Sequence, residues 1–208
     1  MWEDGIAAIT ADLHEWLRRQ AEASDGWVPH RFELSFGIVD RERAAADPAS
    51  IREPVSIAGG LRLRGAIDLV ERRADGVLRA TDYKTGRVWT KQGVVVGGGE
   101  TLQPLLYALA AEALLGAPVE SGRLYYCTAD GGYVERVVPL DDARRGVVIE
   151  VVGIVDRALR DGFLPAVPRH GACGTCDYLP VCGPLEELRT SRKPAARLAD
   201  LARLRSLP

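Results

Sequence analysis

Nothing in this sequence approaches twenty consecutive apolar residues, and no charged start is followed by a short apolar core. Neither a membrane span nor a secretory leader is visible, so the cytoplasm is the expected compartment. An excess of one charge is missing too: 27 Lys and Arg against 29 Asp and Glu leave a formal net charge of -2. That balance is unlike a dedicated basic nucleic-acid binder, so any contact with a polyanion must rest on local patches. Despite the run Gly97-Gly98-Gly99, there is no G-x-x-x-x-G-K-[ST] and no G-x-G-x-x-G after a strand, which disfavours nucleotide binding. Internal repeats and low-complexity segments are absent. What remains is an ordinary globular composition, 47% hydrophobic and 27% charged over 208 residues, enough for one substantial domain with a real core.

The chemistry concentrates in residues 61–87, LRLRGAIDLVERRADGVLRATDYKTGR. The runs 61–73 and 77–84 are rich in branched residues, and Ala74-Asp75-Gly76 between them is hairpin punctuation, best read as a three-residue loop with Gly left-handed. If Arg73 pairs with Val77, counting back sets Asp68 opposite Asp82 and Ala66 opposite Lys84. Opposite residues project to one face, so two carboxylates and one ammonium converge. A two-residue loop would shift the register by one and turn Asp68 away. Two carboxylates side by side on a half-buried sheet repel one another, and the usual remedy is a divalent cation with hard oxygen ligands. Such a cation suggests metal-assisted phosphodiester hydrolysis, in which a nearby lysine steers a water or offsets developing charge. Asp68, Asp82 and Lys84 would fill those roles. For an isolated D-x-K, a surface ion pair on an exposed hairpin is the competing reading.

Around the triad, Gly65-Ala66-Ile67-Asp68, Asp82-Tyr83-Lys84-Thr85-Gly86 and Gln103-Pro104-Leu105-Leu106-Tyr107 follow in order, and a terminal C-x-x-C-x(5)-C comes after them. This succession resembles the RecB-like and AddB-like branch of the PD-(D/E)xK nuclease superfamily, over roughly Arg31 to Cys182. The resemblance implies an α/β fold with a restriction-endonuclease-like mixed central sheet flanked by helices. It implies a Mg2+- or Mn2+-dependent deoxyribonuclease, an exonuclease or end-processing enzyme of recombination and repair, acting on DNA beside a helicase subunit or domain. Asp68, Asp82 and the Tyr83 backbone carbonyl become the expected metal ligands; Lys84, Gln103 and Tyr107 join the catalytic set. A catalytically weak DNA-binding module of a recombination complex is the rival, against which the intact Asp68, Asp82 and Lys84 argue. Nuclease domains of that branch usually have more chain before their first helix, so an excised fragment of a longer protein is expected.

In chain order, residues 6–23 place Ile6, Ile9, Leu13, Trp16 and Leu17 at helical spacing, an amphipathic helix expected to pack on the sheet. His14 lies near that stripe, either as a surface histidine or, by resemblance, beside the metals. Residues 30–39 alternate apolar Phe32, Leu34, Phe36 and Ile38 with Glu33 and Ser35, the first core strand. Glu33 is either a solvated carboxylate or, by resemblance, near the metals or DNA. Residues 40–60 read as an irregular excursion. Residues 87–100, with Trp89, Lys91 and the three glycines, read as a mobile basic and aromatic loop able to touch DNA. Thr101 can cap the next helix, whose Gln103 and Tyr107 share a face. Residues 122–128 and 133–139 suggest a second strand pair, and Asp141 opens a long helix to about Gly162 whose valines would cover the sheet.

The division expected is a nuclease core over 1–165 and a cysteine-rich metal-binding segment with a basic helix over 166–208. Cys173, Cys176 and Cys182 fall within ten residues of one another, which argues for a metal in a cytoplasmic chain. The resemblance specifies a [4Fe-4S] cluster, but its upstream cysteine is absent. Cys127, the only other thiol, sits in an expected core strand; His170 would complete a Cys3His zinc site, the second choice, and three free thiols are the third. Six basic residues between Arg189 and Arg205, with Leu198, Leu201 and Leu204 at helical spacing, suggest a docked helix whose outer face meets DNA phosphates.

Overall fold

The computed structural model of the chain describes residues 2–23, 25–38 and 47–208. Helix α1 (Trp2–Glu22) is followed by β1 (Val28–Phe36), a two-stranded ribbon of β2 (Val55–Ser56) and β3 (Arg62–Leu63), and the hairpin β4 (Gly65–Arg72) and β5 (Leu78–Lys84). Then come α2 (Gln103–Leu115), β6 (Val119–Tyr126), β7 (Glu135–Pro139) and α3 (Asp142–Arg160). Three short helices, α4 (Leu179–Cys182), α5 (Glu186–Ser191) and α6 (Ala199–Arg205), close the chain. The sheet runs β1-β4-β5-β6-β7, antiparallel except for the β5–β6 pair. A parallel pair needs a crossover, and α2 supplies it, lying across β5 and β6. Its first turn sits flush on the sheet because residue 122 is glycine: a Cβ there would come within 1.9 Å of the Pro104 carbonyl oxygen.

The hairpin is built as its turn residues dictate. Gly76 is left-handed at φ 88°, and the Arg73 N–H donates to the Val77 carbonyl at 2.9 Å. The ladder continues through Arg72–Leu78 to Leu69–Thr81, the register that the three-residue loop implies. Helix α3 also begins where expected, with the Asp141 carboxylate accepting the Arg144 N–H at 2.9 Å.

One face of the sheet carries the apolar core with α2, and the other holds buried charge. Glu71 accepts both arms of Arg79 at 2.9 Å, Arg123 at 2.8 Å and the Thr81 hydroxyl at 2.7 Å, while Arg123 reaches on to Glu135. Four strands are thereby tied together by groups that are each 6% exposed or less, Glu135 excepted. Buried charge survives in a fold only when so completely paired.

Several sequence expectations change here. In β1 the alternation fails: Glu33 is left-handed at φ 49°, Leu34, Ser35 and Phe36 are all buried, and Phe32 is 58% exposed. Val39, the expected strand end, and the Asp40–Ala46 part of the excursion lie outside the described residues. On α1, Ile6, Ile9, Leu13 and Leu17 are exposed, so the apolar stripe is not the docking face. The helix docks through Trp16, the one half-buried member of that stripe, and through polar groups. Asp12 accepts from Ala129 N–H and Tyr133 hydroxyl, both at 2.8 Å, Trp16 meets Tyr83 edge-on, and Arg19 lies over the Tyr133 ring.

The glycine run is no mobile linker: the N–H groups of Gly97 and Gly98 donate to the carbonyls of Pro208 and Leu207 at 3.0 Å, and Leu207 is buried in the core. Leu102, rather than Thr101, is the N-cap of α2, with no side-chain bond. Helix α3 covers α2, α6 and the turn at Gly59, and so forms a second layer outside the helix that touches the sheet. The basic C-terminal helix is broken around Pro194. Five of its six cations are engaged within the chain, Arg189 and Lys193 by Glu186, Arg197 by the Phe163 ring, Arg203 by Glu150 and Arg205 by the Val167 carbonyl.

Candidate active site

The site lies where β4 and β5 part. Arg73 and Val77 are a hydrogen-bonded pair, and such pairs recur every second residue in an antiparallel ladder, so the N–H of Tyr83 should next reach Ile67. It donates instead to Asp68 Oδ2, at 2.8 Å. The last ladder pair is Leu69–Thr81, and beyond it a side chain stands between the strands. The N–H and C=O of one strand residue point the same way, so the Tyr83 carbonyl faces the same gap, past the last rung. Lys84, one residue on, points its main chain the other way, its carbonyl accepting the Cys127 N–H at 3.0 Å.

Asp82, 6% exposed, lies in the sheet beside this gap. Its Oδ1 accepts Gln103 Nε2 at 3.0 Å; its Oδ2 is buried, 2.6 Å from Lys84 Nζ but off the direction of an aligned hydrogen bond. Burial pushes the Asp82 carboxyl above its ordinary range, Lys84 pulls it back, and the charge of Asp68 adds to the rise. Gln103 is the hub: its Oε1 accepts Lys84 Nζ at 2.9 Å, and its Nε2 also donates to the Tyr107 hydroxyl at 3.2 Å. One amide therefore fixes a carboxylate, an ammonium and a phenol through α2, whose first turn is seated on Gly122.

The fit to a divalent cation rests on Asp82 Oδ2, a buried anionic oxygen paired with Lys84 but with no aligned donor, beside a second carboxylate and a main-chain carbonyl that faces the same gap. Among the described residues no group of three or more His, Cys, Asp or Glu side chains could hold a metal. Two carboxylates are nonetheless what magnesium ordinarily takes, since it keeps waters and substrate phosphate for the rest of its shell.

Asp68, Asp82, the Tyr83 carbonyl, Lys84, Gln103 and Tyr107 are thus brought together. Glu33 is exposed, but Phe32 pairs with Leu69 and Leu34 with Ile67, so it takes the β1 position level with Asp68. His14 is exposed on α1, and Cys127 is half-buried with its thiol 3.6 Å from the Lys84 carbonyl. Cys173, Cys176 and Cys182 are free thiols that no described arrangement converts into a metal site. Burial raises the Cys173 thiol, and Glu187, Cys176 and Cys182 raise it further. His170 is turned to Glu187, at 3.3 Å, rather than to the thiols.

Sequence reasoning missed the support on the far side of Lys84. The buried Thr90 hydroxyl bonds the Tyr126 hydroxyl at 3.0 Å, and the Thr90 carbonyl accepts Arg136 Nε at 2.9 Å. These contacts span dozens of residues and leave no local signal. A family model described as the PD-(D/E)XK nuclease superfamily matches residues 1–183. No curated protein matches the chain.

Proposed function

The chain belongs to the PD-(D/E)XK nuclease superfamily and has its restriction-endonuclease-like fold, and on that basis we propose that it hydrolyses DNA phosphodiester bonds at the Asp68–Asp82–Lys84 site with magnesium or manganese. The observation that carries this reading is the buried Asp82 Oδ2, left without an aligned donor at the edge of the gap that Asp68 opens. Asp68, Asp82 and the Tyr83 carbonyl would hold the cation. When bound, it supplies Lewis acidity toward the scissile phosphate and toward the attacking water.

The chain's own residues do the rest. Lys84 places a positive charge beside Asp82, where negative charge develops on the phosphate oxygens during attack. Gln103 keeps that ammonium from swinging out, since its Oε1 is occupied by Lys84 and both of its N–H groups are used, on Asp82 and Tyr107. Tyr107 in turn closes the side toward Gly65, where an added Cβ would lie 3.7 Å from the phenol oxygen. Such prepositioning avoids reorganisation during the reaction, which is where most catalytic electrostatics act.

Labelled single- and double-stranded DNA incubated with magnesium or manganese should be cleaved by the wild type, and not by Asp82→Asn or in excess chelator. Cleavage surviving both would refute the assignment. The order of the 65–68, 82–86 and 103–107 motifs supports the RecB-like reading, and with it an exonuclease or end-processing role in recombination or repair alongside a helicase. For the [4Fe-4S] or zinc site, only the spacing of Cys173, Cys176 and Cys182 speaks. Iron, sulfide and zinc analysis of anaerobically purified protein tests it, and no step of the hydrolysis depends on it.

A further inference from the structure

Trp89 is 64% exposed, although an indole is among the side chains that gain most from burial. It is not exposed because its segment is loose. Thr90, the next residue, is 5% exposed and held by the Tyr126 hydroxyl and by Arg136. Four residues before Trp89, the Thr85 carbonyl accepts the Thr128 hydroxyl at 3.0 Å. The segment is thus pinned on both sides of the indole. Its anchor also gives its location: Thr90 bonds Tyr126, the register partner of Lys84 in the parallel β5–β6 ladder, so the segment that carries Trp89 leaves β5 just after the catalytic lysine and is tied to the neighbouring strand. No ring or cation packs on it among the described residues, whereas Trp27 has Arg73 and Arg79 over its ring.

The chain around Trp89 carries cations, Arg87 two residues before it and Lys91 two residues after it, and Arg136 is bonded to the neighbouring Thr90. Lys91 and Arg136 line one cleft of about 230 Å³ with Glu135. The Glu135 carboxylate is taken by Arg123, at 3.1 Å. Arg136 bonds only main-chain oxygens, those of Thr90 and Glu135, and neither Lys91 nor the exposed Arg87 has an ion-pair partner among the described residues. A protein-docking hot spot clusters its Trp and Arg in a well-packed, desolvated pocket ringed by near-neutral contacts. A flat aromatic face beside unneutralised cations instead matches the way single-stranded nucleic acid is held, with bases on rings and phosphates on Lys and Arg.

We propose that Trp89 is a stacking platform for an unpaired base of the substrate strand, with Lys91 and Arg136 engaging the adjoining phosphate. The proposal rests on the nuclease reading of the neighbouring site and deepens it: a base paired within a duplex has both faces stacked on its neighbours, so the strand entering beside Lys84 is single-stranded there.

The test measures equilibrium binding of a fluorescein-labelled oligothymidylate with calcium in place of magnesium, and steady-state cleavage with magnesium, for the wild type, Trp89→Ala and Trp89→Phe. Trp89→Ala should weaken binding and lower kcat/KM by about 5- to 100-fold, with kcat and melting temperature close to wild type, and Trp89→Phe should retain most of both. A scan of single abasic positions should reveal one that costs the wild type a similar factor and costs Trp89→Ala nothing. Lys91→Ala should reduce the salt dependence of binding by about one phosphate contact. Unchanged binding in Trp89→Ala, an equal loss on a blunt duplex, or an abasic scan that adds to the substitution at every position would overturn the platform; the first outcome would leave the indole to a protein contact. Wild type that binds through Trp89 but never cleaves would defeat the nuclease reading alone. Cleavage indifferent to Trp89 would defeat this inference alone.

Discussion

Asp68 and Tyr83 are joined by a side chain standing in for main chain: the aspartate Oδ2 takes, at 2.8 Å, the N–H that the next ladder rung would have used. The same carboxylate therefore opens the strands and contributes charge to the gap it opens. The two jobs separate by substitution. Asp68→Asn keeps an oxygen acceptor for Tyr83 and should melt close to wild type, yet lose cleavage. Asp68→Ala should lose cleavage and also about 1–3 kcal/mol of stability, because the Tyr83 N–H is left without its partner. Chemical denaturation alongside a nuclease assay checks both; equal stabilities would mean that the strands close over the gap.

Asp82→Asn should abolish cleavage without unfolding the chain, and should also abolish any rise in melting temperature on adding manganese. Burial raises the carboxyl of Asp82. The sign follows directly: a raised pKa keeps the proton on to higher pH, and the metal needs the carboxylate. Manganese affinity should therefore begin to fall, on acidification, at a higher pH than an ordinary aspartate would impose. Calorimetric titrations across the acid range would reveal it, and a fall confined to the ordinary carboxylate range would contradict it.

Lys84→Ala should reduce kcat by roughly 100- to 1,000-fold while leaving metal affinity near wild type, since its charge acts on the reacting phosphate rather than on the ion. Gln103→Leu, which frees Lys84 and Asp82 together, should give a smaller loss of kcat, about 10- to 100-fold. If Lys84→Ala weakened metal binding as much as turnover, the lysine would be a structural ion-pair partner.

Glu71→Ala should cost about 3–5 kcal/mol, because it strands Arg79 and Arg123 as buried charges. Urea midpoints report this directly, and a cost below about 1 kcal/mol would mean that the cluster admits water.

What could be seen in the sequence was whatever local chemistry decides. The Ala74-Asp75-Gly76 turn fixes the Leu69–Thr81 register, and Asp141 caps α3, each within a few residues. The grouping of Asp68 with Asp82 and Lys84 was legible from that register, whereas Gln103 and Tyr107 joined them only through the resemblance that the order of the motifs carries. What stayed hidden depends on distant partners. Helix α1 turns its polar side inward because Asp12 finds Ala129 and Tyr133 more than a hundred residues later. Glu71, Arg79 and Arg123 look like solvated strand positions until four strands are assembled around them. The alternation in β1 broke at one left-handed residue, Glu33, that no propensity marks.

The last two residues of the sequence have a practical bearing. Through Pro208 and Leu207 they hold the glycine turn that ends just before Gln103, and Leu207 sits among the buried residues. A recombinant piece cut after Cys182 would keep every recognisable motif and look complete on paper. It would leave the helix carrying Gln103 standing on an unsupported turn, with a hole in the core where Leu207 had been, and a dead preparation of that kind would say nothing about the chemistry of Asp68, Asp82 and Lys84.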